Sequence, residues 1–161
     1  MKRYAAEGSQ NTPSTAAGAG AEADAGIISL DGATTVRPHI YFLSVNTEGT
    51  PGDQQYSVLG MRYTNGNKGT WGTNSQSGEP MDPADPAASL AKWNANTTAA
   101  TTVTASSSVW YIGMNNRATY SWSEDAERGI VLDATTDGVG FFFASVTGGT
   151  SLVRMSMNWS E

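Results

Sequence analysis

The feature that most constrains this chain is a series of short apolar segments separated by turn residues. The clearest is 151–161, where Val153, Met155, Met157 and Trp159 alternate with polar residues. A period of two places one set of side chains on one face of a strand. Further segments of this kind lie at 36–45, 54–64, 97–104, 109–114, 117–123, 130–132 and 138–146. About eight short strands at this spacing predict an all-β, jelly-roll-like antiparallel sandwich.

One part of the chain departs from the strand pattern. Between 70 and 96 the sequence contains Pro80, Met81 and an Asp85-Pro86 pair, followed by an alanine-rich run that ends at Trp93. Asp before Pro is typical of a helix N-terminus, and alanine favours helix. We therefore expect one short helix in this excursion.

The first 26 residues form a region of different composition. After Tyr4 there is no large apolar residue before Ile27. A segment of this kind cannot bury enough surface to offset the entropy of ordering, so we expect a flexible, extended N-terminal arm over 1–26 and a sandwich domain over 27–161. Lys2, Arg3 and Tyr4 at its tip are candidate interface residues; the alternative is a solvated tail.

Composition excludes several classes of function. The formal net charge is −6 and there is no cysteine. A phosphate-binding surface needs basic residues, so direct nucleic-acid binding is not expected. Disulfides and thiolate metal sites are excluded. No segment approaches the roughly 18 apolar residues that span a bilayer, so we expect no membrane partner, and no export signal is recognisable.

Candidate catalytic residues are few. His39 is the single histidine, and no G-x-S-x-G motif is present. Asp82 and Asp85 form one acidic cluster, and Glu124, Asp125 and Glu127 form another, but both lie in turn-like sequence. Two carboxylates on opposed structural elements would suit a glycosidase. The carboxylate oxygens of Asp82 and Asp85 would suit a bound Ca²⁺. We favour a structural role for both clusters and expect no enzymatic activity, cofactor or metal.

Five tryptophans leave a binding function open. Trp110, Trp122 and Trp159 alternate with polar residues in strands, which indicates a core or a subunit contact. Trp71 and Trp93 lie in the excursion, where exposed rings could stack on sugars or contact a partner. These two residues are therefore candidate interface residues, with carbohydrate binding as the alternative.

Several motifs, in this order, resemble a group of small tailed-phage virion proteins. The opening Met1-Lys2-Arg3-Tyr4 matches M-x-R-Y, and 80–85 matches P-[LM]-D-P-A-D. Residues 115–122 match N-[QN]-R-A-T-[FY]-x-W, followed by a Gly138-Val139-Gly140 strand and a closing Glu161. The resemblance spans nearly the whole chain, although each motif is short.

The resemblance implies a structural role in a phage particle. On this basis we expect a capsid decoration or cement protein on the outer surface of the virion. Its partners would be the major capsid protein and copies of itself, in a homotrimer. Arg117, which opens a motif strand, is a further candidate interface residue that would pair with a carboxylate. The alternative is a carbohydrate-binding module, or a tail, neck or fibre component that contacts host glycans.

Overall fold

The computed structural model describes residues 1–10, 26–33, 35–48, 53–64, 70–72, 78–88, 92–98, 108–132, 137–145 and 152–161. These ranges contain twelve β-strands and no helix. Within them, no helix is therefore long and apolar enough to cross a membrane. The strands are β1 (Arg3–Gln10), β2 (Gly26–Asp31), β3 (His39–Glu48), β4 (Gln55–Thr64), β5 (Thr70–Gly72), β6 (Glu79–Pro80), β7 (Lys92–Thr98), β8 (Ser108–Asn115), β9 (Tyr120–Ser123), β10 (Ile130–Val131), β11 (Asp137–Ser145) and β12 (Leu152–Ser160).

The strands form two antiparallel sheets. Sheet 1 has the order β10-β3-β12-β1-β6, and β9 also pairs with β3; sheet 2 has the order β5-β7-β2-β11-β4-β8. One apolar core draws on both sheets, including Leu43, Met155 and Trp159 from sheet 1 and Leu30 and Phe141 from sheet 2. The all-β antiparallel sandwich is confirmed. The strand number exceeds eight because β1, β2, β5 and β6 were not predicted, and β5 and β6 are too short to show a period.

The alternation at the C-terminal end is confirmed in detail. Val153, Met155, Met157 and Trp159 are all buried, while Arg154 is exposed. Ser160 is an exception, because it was expected to face outward and is buried. The turn after β9 covers Ser160 on its outward side, because the Ser160 hydroxyl donates to the Ala126 carbonyl at 3.3 Å.

The central strands of sheet 2 are buried on both faces. Successive strand residues point to opposite faces, and yet Phe141, Phe142 and Phe143 are all fully buried. The same holds for all six residues of β2. Uninterrupted apolar runs are what a strand covered on both sides requires. Phe142 shares its face of the sheet with Leu59, Met61 and Tyr63.

The predicted helix is wrong. Residues 81–85 form turns, 86–88 have no regular structure, and Lys92–Thr98 is a strand. Residues 89–91 of the expected helix lie outside the described residues. Strand β7 pairs with β2 on one side and with β5 on the other. Lys92 and Trp93, the last two residues of the expected helix, therefore lie in a strand, and the helix propensity of the preceding alanines is only a weak preference.

The predicted flexible arm is wrong for its first ten residues. Strand β1 lies inside sheet 1, paired along its whole length with β12 and at one end with β6. Tyr4, Ala6 and Gly8 face inward and are buried. Small side chains suffice here because the two ladders satisfy the backbone polar groups. Residues 11–25 of the arm lie outside the described residues.

A buried polar pair lies on the second face of sheet 2. The Tyr63 hydroxyl donates to the Asp31 carboxylate at 2.7 Å, and both residues are buried. Gly138 lies against the Tyr63 ring, where a larger residue would collide with it. Burial raises the pKa of Tyr63 well above its ordinary value, and the negative charge of Asp31 adds to this effect.

Because of the Tyr63–Asp31 pair, we expect the folded state to lose stability at alkaline pH. The folded state holds the Tyr63 proton more tightly than the unfolded chain does, so this stabilisation is complete below about pH 10 and is lost as the pH rises above it. Tyr63→Phe should lower the unfolding free energy at pH 7 by about 1–3 kcal/mol and reduce its loss at alkaline pH. Urea unfolding at a series of pH values measures both effects.

The matched control is Tyr111→Phe, which removes a hydroxyl from an exposed ring. It should leave the unfolding free energy at pH 7 unchanged. An alkaline loss of stability in Tyr63→Phe as steep as that of the wild type would contradict the assignment.

Candidate functional site

Three motifs that are distant in sequence meet at one end of sheet 1. The opening residue Lys2 exchanges two backbone hydrogen bonds with the closing Glu161, at 3.0 and 2.9 Å. The 80–85 motif joins them, because Tyr4 pairs with Pro80 and the Met81 amide donates to the Arg3 carbonyl at 2.9 Å. Three of the motifs behind the resemblance therefore lie together at one location on the molecule.

This location is fixed from inside by two stacked rings. Tyr4 and Trp159 are both buried, with ring centroids 5.7 Å apart and planes inclined by 26°. The Trp159 indole N–H donates to the Glu161 carboxylate at 3.1 Å. Burial raises the pKa of Tyr4, and the carboxylates of Glu161 and Asp85 raise it further. Tyr4 was expected to be an exposed anchor, but in this structure it is a core residue.

The outer side of the same location is an exposed patch. The Arg3 guanidinium lies 5.9 Å from the centroid of the Tyr41 ring, and the Tyr41 hydroxyl donates to the Met81 sulfur at 3.2 Å. Met1 and Met81 expose 69% and 54% of their surface. We call Met1, Lys2, Arg3, Tyr41 and Met81 the terminal patch.

Tyr41 was not singled out in the sequence. It is half-buried, and its burial raises the pKa of its hydroxyl while the positive charge of Arg3 opposes the rise. The sequence feature that could have drawn attention to Tyr41 is its position in β3 between Ile40 and Leu43, which face the core. Sequence alone could not show which residues lie above it, because Arg3 and Met81 come from distant parts of the chain.

The acidic clusters are used in turns. The Asp82 carboxylate accepts the Ala84 amide at 2.9 Å, and the Asp82 carbonyl accepts the Asp85 amide at 2.9 Å. The Asp125 carbonyl accepts the Arg128 amide in the same way, at 2.8 Å. Among the residues that the structure describes, no group of three or more acidic or histidine side chains could hold a metal ion.

The 115–122 motif connects the two sheets between β8 and β9. The Asn115 side chain accepts the Arg117 amide at 3.0 Å, and the Asn115 carbonyl accepts the Ala118 amide. Asn116 is buried, and its carbonyl accepts the Thr47 hydroxyl. The backbone amide of Asn116 donates to the Gln54 carbonyl at 3.0 Å. These contacts make the motif a rigid crossing from one sheet to the other.

Arg117 pairs with a carboxylate as expected. Its Nε lies 3.5 Å from Asp53 Oδ1, but both side chains are mostly exposed, and exposed ion pairs contribute little to stability. Tyr120, just after it, pairs with Val45, far along β3 from Tyr41. Arg117 is therefore not brought together with Lys2 and Arg3.

The two excursion tryptophans lie on neighbouring strands of sheet 2. The backbone of Trp71 belongs to β5 and that of Trp93 to β7. Their side chains lie outside the described residues. Their role as sugar or partner contacts therefore stays a prediction.

Comparisons with known proteins find similarity only at the level of solved structures. No family model and no curated protein matches it. One solved structure that matches is described as the acidic stable capsid structure of Helicobacter pylori bacteriophage KHP30. The match covers 99% of this chain and 87% of that one, with 7% identity and a TM-score of 0.43. No function is transferred at this level of likeness.

The packing around Trp159 predicts the effect of a single methyl group. A Cβ on Gly78 would overlap the Trp159 ring, which is stacked on the Tyr4 ring. Gly78→Ala should therefore lower the unfolding free energy by about 1–3 kcal/mol. Urea unfolding monitored by tryptophan fluorescence measures it.

Gly113→Ala is the control, because a Cβ there would meet only the Tyr111 hydroxyl, at 3.8 Å. At concentrations where the chain is monomeric, this substitution should be neutral or slightly stabilising. Equal destabilisation by both substitutions would show that the Trp159 packing is not the cause.

Proposed function

We propose that this chain is a structural protein of a tailed-phage particle, a capsid decoration protein that binds the outside of the assembled shell. The observation that carries the proposal is the convergence of three motifs on the terminal patch. These motifs, which underlie the resemblance to phage virion proteins, build an exposed surface around Lys2, Arg3 and Met81. A surface of this kind suits docking.

The chemistry of the terminal patch favours a protein partner. Met1 and Met81 are two of the three large apolar side chains exposed among the described residues. Thioether side chains adapt to irregular surfaces. Lys2 and Arg3 add positive charge to a chain whose formal net charge is −6. These two cations lie beside the carboxylates of Glu161 and Asp85, so charged groups of both signs are available here to orient a partner.

The patch is also pre-organised. Its backbone is held by the pairing of Lys2 with Glu161 and of Arg3 with Met81. Beneath it, the Tyr4–Trp159 stack fixes the strands that carry it. Residues that are ordered before binding cost less entropy when they dock.

The proposed effect on the particle follows from linkage. A protein that binds the assembled shell and not its separate subunits stabilises the assembled state. The partners in this proposal are the major capsid protein and further copies of this chain. Catalysis is not part of it, because both acidic clusters contribute to turns.

The proposal is tested on particles that lack the protein. Purified chain should bind them in a copy number comparable with that of the major capsid protein and should raise their melting temperature. Arg3→Glu combined with Met81→Asp should lower the bound copy number at a given concentration about tenfold or more, because it removes the cation and an apolar contact. Quantitative mass analysis and calorimetry of the particles give the two readouts.

Arg117→Glu is the control for the Arg3→Glu charge reversal, since it makes the same substitution at an exposed site in the turn between β8 and β9, away from the terminal patch. It should bind as the wild type does. Unchanged binding of the patch variant, or no binding of the wild type to shells, would overturn the proposal. A copy number of only a few per particle would assign the chain to the tail, neck or fibre.

A further inference from the structure

The described sheet edges differ in how well they are protected. Edge strand β6 has two residues and ends in Pro80, and β5 has three residues with two register shifts. The far side of β3 is covered by β9 and β10, joined by a turn that contains Glu124, Asp125 and Glu127. Short, irregular, proline-bearing or charged edges resist pairing with another chain.

Strand β8 is less protected: its pairing with β4 has a register shift between Gly60 and Met61, near the start of β8, and is regular over Trp110–Asn115. It has eight residues, without proline or charge, and among the described strands it pairs only with β4. Tyr111 at its centre is 64% exposed. An edge of this length and neutrality presents unpaired backbone groups that a further strand can bind.

A groove lies on one face of sheet 2, over β8 and its neighbour β4. It has a volume of about 410 Å³ and is lined by Gln55, Ser57, Tyr111, Gly113 and Asn115, with parts of Tyr56 and Met114. Gly113 leaves the space open, because the nearest atom to a Cβ there is the Tyr111 hydroxyl at 3.8 Å. The groove can therefore receive a large side chain from a strand added to β8.

We propose that two copies of this chain pair through β8, antiparallel, about a two-fold axis at Ile112, in place of the homotrimer that the resemblance implied. In this register Tyr111 lies opposite the partner's Gly113, so each ring covers the glycine of the other copy. Trp110 lies opposite the partner's Met114, which brings sulfur against an aromatic ring. Aromatic–glycine and aromatic–sulfur pairs across strands are favourable.

The strand sequence favours a second copy over another partner. A two-fold contact requires a segment that is complementary to itself. In β8 each aromatic residue is matched by a small or flexible one at the same distance from Ile112. Two chains with a net charge of −6 repel each other, but β8 brings no charge to the contact. Pairing would join two copies of sheet 2 into one continuous sheet.

The first experiment measures association of the purified full-length chain by sedimentation velocity over a range of concentrations. The wild type should form a dimer. Tyr111→Lys should raise the dissociation constant at least about tenfold, because an edge lysine opposes strand pairing. Ser121→Lys, which places the same charge on an exposed site of β9, should dimerise as the wild type does. Circular dichroism melting checks that both variants fold.

The second experiment tests the register. The natural chain has no cysteine, so an introduced cysteine is the only thiol. Ile112→Cys lies opposite itself across the axis and should form a disulfide-linked dimer under mild oxidation. Val109→Cys, on the same strand but off the axis, should remain largely unlinked.

The pairing through β8 would be overturned if the wild type stays monomeric or forms a trimer. It would also be overturned if Tyr111→Lys leaves the dimer intact. Equal linkage of Ile112→Cys and Val109→Cys would overturn the register. These measurements need no phage particle. A failure here is therefore distinguishable from failure of shell binding, and either proposal can stand without the other.

Discussion

Sheet 1 depends on the pairing of the two ends of the chain. Strand β12 lies between β3 and β1, and β1 in turn carries β6. The Tyr4–Trp159 stack lies at the end of this ladder, inside the core. Stacked aromatic pairs contribute about 0.5–1.5 kcal/mol beyond the area that they bury. Without β1, the inner face of β12 and the 80–85 turn would lose their support.

The terminal patch is a consequence of this closure. Arg3 and Met81 come together only because β1 and β6 are neighbouring strands. The interaction of Arg3 with the Tyr41 ring then joins the patch to β3, on the other side of β12. One side of sheet 1 therefore supports the fold and the other presents a surface. The backbone of the proposed interface is held in place by the paired strands of sheet 1.

Sheet 2 has a different design. Its central strands are buried on both faces, so its face near β2 and β11 offers little to a partner. Its accessible feature is an edge, where β8 exposes Tyr111 and the groove over Gly113. The two proposals thus use different parts of the sandwich: an exposed patch on sheet 1 for the shell, and an edge of sheet 2 for a second copy.

The period-two pattern of β12 and the apolar run of β11 are strong local signals, and from them the sequence alone determined the all-β class and most long strands. It also located the inward residues Val153 to Trp159. It missed β1, whose small residues show no apolar pattern, and β2, and it predicted a helix that overlaps the start of β7. These errors concern segments whose structure depends on strand partners distant in sequence. The tertiary structure alone decided that Tyr4 is buried, that Arg3, Tyr41 and Met81 meet, and that β8 is an edge. Ladder hydrogen bonds and ring stacking form only between folded neighbours, so no local pattern specifies them.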